Sequence, residues 1–201
     1  VLFNAFQICS KIHDPLICSS GKTSEKGKLE EDNRKALESC LQDCFSHISL
    51  YFSSFHISGK THPNSSDRDE AMLSILKKHD VDFVVLVGYL KPVGQKTLSA
   101  FQQKVINIHP ALLPSYGGQG MYGNRIHEEV LNNKDSETGI SIHYVNDEYD
   151  TGEIIAQLRI PIDRSDSTSS LAKRILINEH EFLIATLNCL INEERICRNK
   201  A

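Results

Sequence analysis

Residues 67–79, DRDEAMLSILKKH, are followed after one intervening residue by the run VDFVVLV at residues 81–87, a helical pattern leading into a strand pattern. In the first stretch Ala71, Met72, Ile75 and Leu76 recur at helical spacing and form one apolar face. The second is continuously apolar apart from Asp82, the pattern of a strand covered on both sides. Working outward, the same alternation repeats. A short helix is predicted over residues 97–103 and a strand over 104–109. A helix over 124–134 follows, with Ile126, Val130 and Leu131 facing inward. Residues 138–145 read as a strand with Ile140, Ile142 and Tyr144 on one face and Ser141, His143 and Val145 on the other. Another strand is predicted over 153–162. After a Ser/Thr-rich capping signal at 165–170, a long helix runs to about residue 194, its inner stripe Leu171, Ile175, Phe182 and Cys189. Helix and strand in alternation imply an α/β fold: an open, mostly parallel, doubly wound sheet with flanking helices.

The amino end does not share this rhythm. Residues 1–9 are apolar but carry Asn4 and Gln7 and have no basic flank, so they read as a truncated beginning and not as a signal peptide. Residues 22–28 read as polar loop, 29–44 as helix and 48–57 as β-prone. The expected organisation is an atypical segment at 1–54 and a catalytic domain at 55–201.

With 22 Lys and Arg against 26 Asp and Glu, the formal charge is -4, which offers nucleic acid or anionic lipid no general attraction. No apolar run approaches the length of a membrane span. Six unevenly spaced cysteines in a chain of ordinary hydrophobic content point to a reducing compartment. Cys40, Cys44 and His47 have a metal-compatible spacing but lack the paired pattern of a zinc ribbon, and no metal is expected.

In an open sheet the reactive groups gather beyond the carboxyl ends of the strands. Two such ends are rich in chemistry: Gly88-Tyr89-Leu90-Lys91-Pro92-Val93 and Asn107-Ile108-His109-Pro110-Ala111-Leu112-Leu113-Pro114. Asn107 and His109 are two apart in an extended stretch, so they leave one face together, and Pro110 keeps His109 extended. An amide donor beside an imidazole can hold an oxyanion and move a proton, as acyl transfer to an amine requires. The dipeptide alone means little, since His62-Pro63 repeats it in a polar loop. A third segment, Asn146-Asp147-Glu148-Tyr149-Asp150-Thr151-Gly152, is acidic. Asp150 reads either as the carboxylate that sustains a charged histidine or as a turn residue before Gly152. Gly117-Gly118-Gln119-Gly120-Met121-Tyr122-Gly123 is a loop whose backbone can approach a ligand. His127, His143 and the Glu179-His180 pair read as structural or solvated.

Taken in order, these three motifs make residues 55–192 resemble the phosphoribosylglycinamide formyltransferases, which move a formyl group from 10-formyltetrahydrofolate to the amine of glycinamide ribonucleotide. The resemblance implies that His109 is the general acid and Asn107 polarises the formyl oxygen, while Asp150 sustains the histidine's charge and orients a water. It places the pterin end of the folate against Leu90, Lys91, Pro92 and Val93, against Asn107, and against the backbone of Asn146, Asp147, Glu148 and Tyr149. It assigns Glu179 to the substrate ribose, Ile108 and Pro110 to the amine side, and Gly118 to the substrate loop. The implied partners are glycinamide ribonucleotide and the formylfolate as co-substrate, without nucleic acid or membrane; a homodimer is compatible with it. The expected compartment is the cytoplasm, an organellar stroma or matrix being the alternative.

The family opens with a strand and a Ser-Gly-x-Gly-Ser/Thr-Asn phosphate loop, and residues 1–54 hold no such motif. Ser19-Ser20-Gly21-Lys22-Thr23-Ser24 is the nearest, and Asp32-Asn33-Arg34 resembles a later piece. The chain is therefore expected to bind folate better than ribonucleotide. Two rival readings follow: a formyltetrahydrofolate hydrolase, in which water replaces the amine, and a non-catalytic formylfolate-binding remnant.

Overall fold

The computed structural model describes the backbone at residues 5–10, 14–19 and 53–198, and side chains at residues 55–191. The helix expected at 29–44, the cysteine-histidine spacing at 40–47, residues 20–24 of the candidate phosphate segment and the stretch 32–34 lie outside the described residues. Three strands come first: β1 (Ala5–Ser10), β2 (Asp14–Ser19) and β3 (Ser53–Phe55). From there helix and strand alternate: α1 (Ser65–Lys78), β4 (Val81–Val87), α2 (Gln95–Ala100), β5 (Val105–His109), α3 (Asn124–Asn132), β6 (Glu137–Tyr144), β7 (Ile154–Pro161) and α4 (Thr168–Arg198).

The chain divides into two compact units, Val1–Asn107 with Tyr144–Gly152, and Ile108–His143 with Glu153–Ala201. In the first, β1 pairs antiparallel with both β2 and β4, β2 pairs parallel with β3, and β4 pairs parallel with β5. The apolar run of β4 behaves as its sequence demands, with Val84, Val85 and Leu86 at most 3% exposed. Met72 and Leu76 from α1, together with Ile57, Val93, Leu98, Phe101 and Val105, complete this core. Each such side chain contributes about 1.5–3 kcal/mol by leaving water.

One polar contact locks the loop after β4. The carboxylate of Asp69, buried on α1, accepts from the backbone N–H of Lys96 at 2.9 Å and of Thr97 at 3.1 Å, and from the Thr97 hydroxyl at 2.5 Å. It thereby caps α2, whose own N-cap residue, Gly94, has no side chain to do so. A Cβ on Gly94 would meet Asp69 Cγ at 2.1 Å, so only glycine admits this approach.

In the second unit β6 and β7 pair antiparallel from Glu137↔Pro161 to His143↔Ile154, making the sheet mixed. β6 is not the strand of unlike faces that its sequence suggests: Ser141 and His143 are as buried as Ile140 and Ile142. Long α4 starts on a reciprocal cap, Ser170 N–H donating to Ser167 Oγ at 3.2 Å and Ser167 N–H to Ser170 Oγ at 2.9 Å. Its inner stripe is Leu171, Ile175, Leu183 and Ile184. Cys189, expected in that stripe, is exposed, and Phe182 is only half-buried.

Candidate functional site

The parallel register of β4 and β5 sets Leu86 opposite Asn107 in the first unit. Beyond Gly88, a glycine at φ 65°, the chain turns into Tyr89 and Leu90, both half-buried. Lys91 and Pro92 are exposed, but Val93 is 6% exposed and packs in the core beside Leu98 and Phe101. Its side chain is thus a packing element of that core.

The acidic loop belongs to the same unit. Val145 N–H donates to Val105 O at 2.8 Å, tying the loop's start to the base of β5. Asn146 then organises it, its Oδ1 accepting from Glu148 N–H at 3.2 Å and from the Thr151 hydroxyl at 3.1 Å. Asp147, Glu148 and Tyr149 are exposed. Partial desolvation, and then the neighbouring Asp150 charge, hold the Tyr149 phenol above its ordinary range. Asp150 has φ 56°, a left-handed conformation that Asp tolerates better than most residues. It is within reach of Asn107, whose Nδ2 donates to Asp150 Oδ1 at 3.5 Å, the long end of a hydrogen bond.

In the second unit His109 is 4% exposed, and its Nε2 donates to the backbone carbonyl of Tyr116 at 2.8 Å. A carbonyl can only accept, so this contact places a proton on Nε2. The chain between the two is held in detail. Ser141 Oγ donates to Ala111 O at 2.7 Å and accepts from Leu113 N–H at 2.9 Å. Gln157 Nε2 donates to Leu113 O at 2.9 Å and to Ser141 Oγ at 2.8 Å. Gly139 closes the same place, since a Cβ there would meet Leu158 O at 2.1 Å and Leu112 Cδ2 at 2.6 Å. The glycine loop follows, Gly118 at φ 93° accepting from Met121 N–H at 3.1 Å.

His127 on α3 is 5% exposed with Nδ1 unpartnered. Burial first, and then the proximity of His109, hold its pKa below the ordinary histidine range. His127 is therefore a neutral neighbour of His109. His143 is 2% exposed, Ile108 is buried with 6% exposure, and Pro110 is half-buried. Glu179 on α4 is half-buried, not solvated as its sequence suggests, and burial pushes its carboxyl up to about 7.

The residues assigned to the folate, Leu90, Lys91, Pro92, Val93, Asn107, Asn146, Asp147, Glu148 and Tyr149, all lie in the first unit, as does Asp150. Those assigned to the ribonucleotide, Ile108, Pro110, Gly118 and Glu179, lie with His109 in the second. Of the expected contacts within a unit, that of Asn107 with Asp150 is made. Sequence reasoning missed Tyr116, Ser141 and Gln157. A tyrosine before Gly117 carries no local sign that its carbonyl will meet an imidazole seven residues earlier. Among the described residues no group of three His, Cys, Asp or Glu is placed to hold a metal ion, and no helix is long and apolar enough to cross a membrane.

Residues 23–187 match the formyl transferase family. The phosphoribosylglycinamide formyltransferase of Arabidopsis thaliana, chloroplastic by name, is 41% identical over 137 residues, 68% of this chain and 47% of that protein. The chain thus spans about half the length of this plant relative. The Bacillus subtilis phosphoribosylglycinamide formyltransferase is 33% identical over 142 residues, 71% of this chain and 70% of its own length. The crystal structure of the Bacillus halodurans phosphoribosylglycinamide formyltransferase superposes with a TM-score of 0.64 at 34% identity, covering 70% of each chain.

Proposed function

Because the chain belongs to the formyl transferase family, we propose that it transfers the formyl group of 10-formyltetrahydrofolate to the amine of glycinamide ribonucleotide, a step of purine synthesis. The amine attacks the formyl carbon, a C–N bond forms, and the carbonyl electrons move onto oxygen. Asn107, an amide donor, and His109, on the same face of β5, stabilise that oxyanion. Collapse breaks the bond to the folate nitrogen, which takes up a proton as the attacking amine loses one. His109 acts as the acid, with a water oriented by Asp150 in the relay. The contact of Asn107 with Asp150, residues 43 apart in sequence, is the observation that supports this reading most.

The pterin end is assigned to Leu90 and to the backbone of 91–93 and 146–150, the ribose to Glu179, and the substrate loop to Gly118. A carboxyl with a pKa of about 7 can donate to a hydroxyl as readily as accept from it, which suits Glu179 to a sugar. Residues 55–201 are proposed as the catalytic domain, and the compartment as cytoplasm or an organellar stroma. Separate calorimetric titrations with a folate analogue and with glycinamide ribonucleotide test the reading. Both should bind, the folate more tightly, since residues 1–54 contain no glycine-rich phosphate loop. Binding of the folate alone would favour the non-catalytic alternative.

A further inference from the structure

Tyr116 is a residue that the proposed chemistry does not use, yet three observations meet at it. Its backbone is left-handed, φ 58°, at a position where a bulky side chain gains nothing from that conformation. Its carbonyl accepts the Nε2 hydrogen of His109 at 2.8 Å. Its phenol is tied at the far end: the hydroxyl donates to Asp135 Oδ2 at 2.5 Å and accepts from Asn133 Nδ2 at 2.8 Å. That far end is itself fixed, because Asn133, Lys134 and Asp135 form the turn that closes α3, their N–H groups donating to Glu129, Leu131 and Val130. Burial, followed by the Asp135 contact, raises the phenol's pKa, so it stays protonated and able to donate.

We propose that Tyr116 is a positioning residue: its phenol, moored to Asp135 and Asn133 at the end of α3, holds its own backbone in the left-handed turn that presents the carbonyl to His109 and so fixes the imidazole as the Nε2–H tautomer. The mooring explains why a tyrosine occupies a position that glycine would adopt more cheaply. Glycine would supply the turn but could also leave it, whereas a ring anchored at its hydroxyl keeps the carbonyl aimed. The effect on turnover rests on the proposed role of His109; the tautomer itself does not.

The test uses the full chain with 15N-labelled histidine, the His109 signals being assigned by their loss in His109→Asn. Without substrate, and above the pH at which the ring titrates, the native chain should show Nε2–H alone, and Tyr116→Phe, which removes only the phenolic oxygen, should show a mixture of the two tautomers. Asp135→Ala should produce the same mixture. In turnover, Tyr116→Phe should lower kcat roughly tenfold with the KM of both substrates unchanged, the mark of a displaced acid and not of a lost binding contact. The double variant should be no worse than either single one, because both cut one mooring. Should Tyr116→Phe not fold, Asn133→Ala and Asp135→Ala provide the same reading. A single Nε2–H tautomer persisting in Tyr116→Phe and Asp135→Ala would overturn the proposal, as would a native ring that is already mixed. Because tautomers are read without substrate, a chain that transfers no formyl group would contradict the functional reading while leaving this result intact.

Discussion

Two side chains carry distinct proposed tasks, His109 as the acid and Leu90 at the folate. His109 is almost fully buried, and its orientation comes from a backbone carbonyl. The segment beyond it is clamped independently by Ser141 and Gln157, so removing the ring leaves those hydrogen bonds in place. His109→Ala should therefore cost turnover on the order of 100- to 10,000-fold, the usual contribution of a positioned acid, while the thermal midpoint moves by only a few degrees. Parallel measurements of kcat and of melting check this; a small loss of rate would remove His109 as the acid. Leu90 is the residue for probing the folate, since Val93 packs in the core and an Asp there would threaten folding. Leu90→Asp should abolish calorimetric binding of a folate analogue with cooperative melting retained; unchanged affinity would clear Leu90 of the pterin wall. The pairing of Asn107 with His109 on one face is legible from a spacing of two. The carbonyl partner of His109 is not, because no short sequence pattern announces where an imidazole will donate.

Among the elements, α2 and α4 make predictions of opposite kind. Helix α2 has six residues and depends on a carboxylate from α1 for its cap. Asp69→Ala should destabilise the chain by about 1–2 kcal/mol, the ordinary cost of a lost cap, and should weaken folate binding because the loop after β4 ends at that cap. Chemical denaturation beside the folate titration measures both; loss of stability with undiminished folate affinity would separate the cap from the site. On α4 the pKa of Glu179 is raised to about 7, above its ordinary value of 4.5. The folded state then holds a proton that the unfolded chain has already released between those values. Its share of stability is complete below pH 4.5 and is lost as pH rises through 7. Glu179→Gln should accordingly be more stable than the native chain at pH 8, by at most about 3 kcal/mol, and should show little difference at pH 4.5. Equal stability of the two proteins at pH 8 would contradict a buried carboxyl.

The elements also mark where sequence reading reached and where it stopped. β4 was legible because seven nearly unbroken apolar residues have few other uses. The antiparallel return of β7 conflicts with a mostly parallel sheet, yet a warning was present: fewer than ten residues separate β6 from β7, too few for a helical crossover. The stripe of α4 drifted because over a helix of 31 residues a small error in phase moves Cys189 from the inner face to water.

For the whole molecule, the chain's two compact units divide the proposed labour: the first carries the residues assigned to the folate, and the second those assigned to the ribonucleotide together with His109. That division was hidden in the sequence, since the units part between Asn107 and Ile108, inside a strand, and Tyr144–Gly152 returns to the first unit from the middle of the second. The motifs themselves were legible from their residues and order, and all lie within the family match. In the proposed reaction the formyl group leaves the folate for an amine and not for water. The most direct measurement supplies 10-formyltetrahydrofolate labelled in the formyl carbon, with and without glycinamide ribonucleotide, and follows where the label goes. The account predicts label in formylglycinamide ribonucleotide, matched mole for mole by tetrahydrofolate, and no formate when ribonucleotide is withheld. Labelled formate released without ribonucleotide, or label that stays on a bound folate whatever is added, would contradict it.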